Sequence, residues 1–170
     1  MVNLRCTRRL LRHLKVHPVE HTNHASARLG DWYANLIYTE AGDLILFVNE
    51  RSLLSVAIPV WEADNVVEVF RLRVANLLAM IGIPHRTIVE EIGHLEDVEF
   101  ARTANRSVLG SMNDIALQYQ LTAEEHTHDR PLSLSDAESE VSSMPCRPLG
   151  YNTPREVAMR FLQDAKGGAS

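Results

Sequence analysis

A chain of 170 residues, 45% hydrophobic and 23% charged, has the composition of a globular domain with a true core, which excludes disorder along its whole length. Its formal charge of -5 speaks against a general nucleic-acid binder, because phosphate recognition normally leaves a basic excess over the domain. The longest apolar run, residues 66–81, is interrupted by Glu68, Arg71, Arg73 and Asn76, so no membrane span is expected.

Taken in order, Val2, Leu4 and Cys6 alternate with polar residues as in a half-buried strand, and Thr7 then caps a short basic helix, Arg8 to Lys15. That basic start lacks an apolar h-region and a cleavage site, so it reads as part of the fold, with a cytoplasmic location. Residues 16–28 hold a proline and three histidines without periodicity and read as a loop. "WYANLIYTE" and "DLILFVNE" flank "AGD" as a hairpin, with "SLLSVAIP" as a third strand, giving a central three-stranded meander. Symmetry about Ala41 and Gly42 sets Asn35 opposite Asn49 to within about one residue.

Asp64 to Ile81 repeats apolar residues at three and four, with Asp64 as N-cap and Gly82 and Pro84 as the stop. "TIVEEI" and "VEFART" suggest a second hairpin, although residues 87–92 fit a helical turn as well. After Asn105 or Ser107 as cap, Val108, Met112, Ile115 and Tyr119 share one helical face. Residues 124–150 form a polar connection containing a short helix opened by the capping box Ser135 to Glu138. "TPRE" announces a last helix, and residues 166–170 fray. The whole is a single α+β domain over residues 1–170: an antiparallel sheet with two main helices covering one face, plus a C-terminal helix.

Cys6 and Cys146 stand in neither a CxxC nor a zinc spacing and read as free thiols. His17, His21 and His24 would face one way only on a helix that Pro18 opposes, so no metal is assigned to them or to His126 and His128, and no motif asks for a cofactor. The basic helix, with Arg5, Arg8, Arg9 and Arg12, is a candidate phosphate patch, set against a solvated face whose arginines pair with Glu90, Glu91, Glu96, Asp97, Glu99, Glu138 or Glu140. Asn35 and Asn49, polar among apolar strand neighbours, must be bonded internally or line a pocket. "RSVLGSMND" carries Arg106 at a helix start, with Ser107, Ser111 and Asp114 on one stripe and Gly110 and Asn113 on the next. Gly110 costs about 1 kcal/mol against alanine inside a helix, which predicts a close neighbour there.

"RCT", "LGDWYANL", "LFVN" and "RSVLGSMND", in that order, resemble a small uncharacterised bacterial family of domains of unknown function. The resemblance implies a shared fold and supplies no activity; the histidine loop and the segment from Glu124 onward lie outside its motifs. The leading expectation is a non-catalytic module binding a protein or small anionic ligand through Asp31, Trp32, Asn35, Asn49, Arg106, Ser107, Ser111, Asn113 and Asp114. The second is a hydrolase or transferase acting on a phosphorylated or nucleotide-like substrate, with Arg106 holding the anion and Asp31 or Asp114 as base. The meander edge and Trp61 offer a surface for a homodimer.

Overall fold

The computed structural model describes residues 1–125 and 133–163. Strands β1 (Val2–Cys6), β2 (Trp32–Thr39), β3 (Gly42–Asn49), β4 (Ser55–Pro59) and β5 (Val98–Arg102) form one sheet in the spatial order β4-β3-β2-β1-β5. β2, β3 and β4 are successive antiparallel neighbours, whereas β1 lies parallel to both β2 and β5. The sheet is therefore mixed, not antiparallel as its hairpins suggested, and the meander occupies one side of it. The cause is the crossover after β1: helix α1 (Arg8–Leu14) and the loop behind it return the chain to the end where β1 began, so β2 repeats β1's direction.

Thr7 starts α1 by accepting a bond from Leu10 N at 3.4 Å, and Leu10 and Leu11 bury the helix against the sheet. The histidine loop then passes the edge strand β5, where Val19 N donates to Phe100 O at 2.8 Å, and reaches the start of β1, where Ser26 N donates to Met1 O at 2.9 Å. The Val19 bond satisfies a carbonyl on an edge that would otherwise offer unpaired backbone groups. The hairpin turns at Glu40 and Ala41, so Thr39 faces Gly42, Asn35 faces Leu46 and Asn49 faces Trp32. The two asparagines do not meet, because moving the turn toward the N-terminus by about a residue shifts every partner by twice as much.

The second expected hairpin is absent: residues 87–92 belong to helix α3 (His85–His94), and β5 pairs with β1 instead. Ile88 and Leu95 are buried in the same core, which supplies the helical tie-break that the short sequence window lacked. Helix α2 (Val66–Met80) is preceded by a 3-10 turn, Val60–Asn65, so the cap position belongs to Asn65 and not to Asp64. Gly82, at φ 88°, takes the left-handed conformation that ends this segment.

Alternation along β2 builds two cores. Trp32, Ala34 and Leu36 share one cluster with residues of α1, α2, α3 and α6 (Pro154–Gln163). There Phe70 of α2 stacks on Phe47 at 4.5 Å and meets Trp32 edge-on at 5.3 Å. Tyr33 and Ile37 share the other cluster with α4 (Arg106–Glu124) and α5 (Leu134–Ser142). The two main helices thus cover opposite faces, a correction forced by the strand's two-residue period, since both faces of β2 are apolar.

Helix α5 starts two residues earlier than its expected box, with Ser133 as cap accepting from Asp136 N. Its buried Glu138 accepts from Ala57 N on the edge of β4 at 3.1 Å and from Arg73 of α2, joining three elements. Thr153 and Glu156 exchange bonds at the start of α6 as a capping box. His126, His128 and residues 166–170 lie outside the described residues.

Candidate functional site

The sheet-borne candidates are held inside the scaffold. Asp31 is buried at the mouth of β2, and its carboxylate accepts from Asn3 N at 3.1 Å, from Asn3 Nδ2 at 3.0 Å and from Arg5 Nε at 3.0 Å. Arg5 is spent there, with its remaining guanidinium groups donating to Arg102 O at 3.3 Å and Thr22 Oγ1 at 3.4 Å. Trp32 is core. Asn49 is fully buried and satisfied: Nδ2 donates to Leu29 O and Asp31 O, while Oδ1 accepts from Arg51 N, Ser52 N and Ser52 Oγ. Asn35 accepts from Thr7 Oγ1 at 2.9 Å, tying the hairpin to α1.

Helix α4 divides its own candidates. Asn105 caps it, accepting from Ser107 N at 2.9 Å and Val108 N at 3.3 Å. Arg106, Ser107 and Asn113 are exposed, and among the described residues Arg106 forms no ion pair. Gly110 has nothing within 4 Å of where a Cβ would stand, so the close neighbour predicted for it is absent. Ser111 and Asp114 line a cavity of about 200 Å³ together with Leu53, Gln118, Val141, Met144 and Cys146. Burial, and then the Asp114 charge, push the Cys146 thiol's pKa up. Arg106 sits eight residues before Asp114, about 12 Å along the helix, and is not in that lining. Asp31, Arg106 and Asp114 therefore share no pocket.

A second concavity lies outside the carboxyl ends of β1 and β5. Arg8, Arg12, Lys15, His17 and Arg102 line a cleft of about 700 Å³ with Leu11, Val16 and Pro18, and no carboxylate is in this lining. An adjoining cleft of about 440 Å³ shares Pro18 and Arg102 and adds Arg5, Thr22, Thr103 and Glu20. Among the described residues Arg8, Arg12, Lys15 and Arg102 form no ion pair. Several of the carboxylates expected to neutralise the basic helix are engaged elsewhere, Glu90 with Arg28 and Arg86, Glu91 with the backbone of Arg28 and Leu29, Glu96 with Arg71 and Glu138 with Arg73, and among the described residues none forms an ion pair with Arg8, Arg12 or Lys15. Arg9 points away from the cleft, donating to Leu36 O at 2.6 Å and lying 5.0 Å over the Tyr38 ring.

The sequence matches a family described as a domain of unknown function, DUF6933, over residues 3–157. The chain belongs to the DUF6933 family. No curated protein and no solved structure matches it.

In this DUF6933 chain the motif stretches of the sequence meet around one strand end. Arg5 of "RCT" pairs with Asp31 of "LGDWYANL", Asn49 of "LFVN" donates to Asp31 O, and Tyr33 accepts from the backbone of Asn105 just before "RSVLGSMND". Burial pushes the Tyr33 pKa up, with the Arg5 charge opposing. Gly30, at φ 75°, fits the turn into β2 because a Cβ would stand 2.7 Å from Glu50 Oε1. Residues that sequence reasoning missed complete this junction: Glu50 accepts from Asp31 N, and buried Glu91 accepts from Arg28 N and Leu29 N, each at 3.0 Å. Periodicity carries no signal for such long-range side-chain to backbone bonds. Arg102 was missed for the same reason, since it reaches the basic helix only through the parallel β1–β5 pairing. His17 lines the cleft, while His21 and His24 are exposed in the loop.

Proposed function

We propose that this protein is a non-catalytic binding module for a small anionic ligand, held in the cleft at the carboxyl ends of β1 and β5. The observation that carries this reading is the set of basic side chains, Arg8, Arg12, Lys15, His17 and Arg102, lining one concavity without a carboxylate. The chain as a whole is acidic, at a net -5, so a basic cleft without a carboxylate in its lining is not a by-product of composition. The location supports the same reading. β1 and β5 are parallel neighbours whose following helices, α1 and α4, pack on opposite faces, and in sheets of this kind the crevice between such strand ends is where ligands sit. The volume of about 700 Å³ suits a small molecule. Guanidinium groups recognise the planar or tetrahedral oxygens of carboxylate and phosphate through paired donors.

Calorimetric titration with inorganic pyrophosphate at low salt tests the reading. Binding is expected to weaken with added salt and to fall at least tenfold in the double variant Arg12→Ala, Arg102→Ala, with thermal stability unchanged because both side chains are exposed and unpaired. Undiminished affinity in that variant, or no binding by the intact protein, refutes it.

A further inference from the structure

We infer that the ligand of the basic cleft is a nucleoside diphosphate, whose base lies against Trp61 in the adjoining cleft; this rests on the anion reading above and extends it. The adjoining cleft, of about 840 Å³, opens between the end of α1 and the 3-10 turn Val60–Asn65 that leads into α2. Lys15 and Val16 line both concavities, so the two are continuous around the point where α1 ends.

Trp61 is the feature that asks for a ring. It is 75% exposed, more than any other large apolar side chain among the described residues. The other exposed aromatics differ: Arg9 lies over Tyr38, Arg51 lies over Phe161, and Tyr151 lines neither cleft. Among the described residues no ring and no cation lies against Trp61, and its indole faces a concavity. Leu14, Val16, Val60, Val67 and Phe100 complete an apolar wall there. A bare indole forgoes the gain of burial, and its flat π-face is best covered by another flat ring.

Charge sets the direction in which the ligand lies. No carboxylate lines the basic cleft, whereas the adjoining cleft has Asp64 and Glu68 beside Lys15 and His13. Glu68 pairs with Arg71, but Asp64 forms no ion pair among the described residues. An anionic group is therefore drawn to the arginines and repelled from the Trp61 side, where Asp64 accepts hydrogen bonds from an uncharged donor. A nucleoside diphosphate has this polarity, with a diphosphate at one end and at the other a flat base that stacks on an aromatic side chain and presents N–H groups at its edge. An inorganic anion uses the first cleft alone, and an aliphatic diphosphate ester gives Trp61 nothing to stack on.

Calorimetric titration of the intact chain with ADP, isopentenyl diphosphate and pyrophosphate tests the inference. The first two are diphosphate monoesters of equal charge, one with a base and one without. ADP is expected to bind about tenfold more tightly than isopentenyl diphosphate, within the range that one base–aromatic stack supplies. Trp61→Ala, an exchange at an exposed position that leaves thermal unfolding unchanged, brings the two esters to the same affinity and does not alter pyrophosphate binding. Trp61→Phe keeps a ring and retains part of the ADP preference. Fluorescence reads the same contact: Trp32 is buried, so quenching by ADP comes from Trp61 and disappears in Trp61→Phe. Equal affinity of the two esters where pyrophosphate binds, or an ADP preference that survives Trp61→Ala, overturns this inference and leaves the anion reading standing. Failure of all three probes to bind overturns both.

Discussion

Replacing Asn49 by alanine removes five hydrogen bonds from a side chain with no exposed surface. Two are donated, to Leu29 O at 2.9 Å and Asp31 O at 3.2 Å, and three are accepted, from Arg51 N at 3.2 Å, Ser52 N at 2.9 Å and Ser52 Oγ at 2.8 Å. A net bond contributes about 1 kcal/mol, and a buried partner left without one costs about 1–3 kcal/mol. Arg51 is exposed and its N–H regains water, so the loss falls mainly on the groups of Leu29, Asp31 and Ser52. The expected destabilisation is about 3–4 kcal/mol, a large share of the roughly 5–15 kcal/mol that holds a domain folded. In a urea titration, with a slope of about 2 kcal/mol/M, the midpoint falls by about 1.5–2 M. Asn49→Asp is at least as damaging, since it turns a carboxylate oxygen toward two carbonyls. A midpoint shift under about 0.5 M, or a tolerated aspartate, would refute the view that this residue holds the β3–β4 turn to the start of β2.

Two further substitutions probe other parts of the fold. Gly110→Ala meets open space on an exposed helical position and is expected to stabilise the protein by about 0.5–1 kcal/mol, measured as a rise in Tm; destabilisation would reveal a neighbour at that site. Burial pushes the Glu138 carboxyl up to about 7, with Arg73 and Ala57 N opposing. The folded protein therefore holds this proton above the pH at which the unfolded chain releases it, so the contribution is fully present below about 4.5 and is lost as pH rises to about 7. The loss is on the order of 3 kcal/mol. Glu138→Gln flattens stability over that interval relative to the parent chain, and equal slopes in the two proteins would contradict the assignment.

Local chemistry was legible in the sequence wherever a residue acts on its near neighbours. Thr7, Asn105 and the Thr153–Glu156 pair cap the helices that their positions announced, because a cap bond spans only two or three residues. Period-two and period-3.6 patterns marked β1, the hairpin strands, α2 and α4 for the same reason. The second hairpin failed because residues 87–92 are too few to separate the two periods, and the burial of Ile88 decided it. Of the candidate sites, the sequence singled out Ser111 and Asp114 as neighbours on one stripe but was silent on Cys146, which reaches the same cavity from some thirty residues away.

The amino-acid order by itself marked most of the helices and strands, residues 87–92 apart, where several of them start, and that Asn35 and Asn49 need partners. Tertiary structure alone decided the direction of β1, the face each helix covers, and the meeting of Arg102 with the basic helix. The difference is one of range. A periodicity or a cap reports on groups within a turn of the chain, whereas strand order, register and the convergence of charges depend on contacts between residues tens of positions apart, and those exist only once the chain has closed on itself.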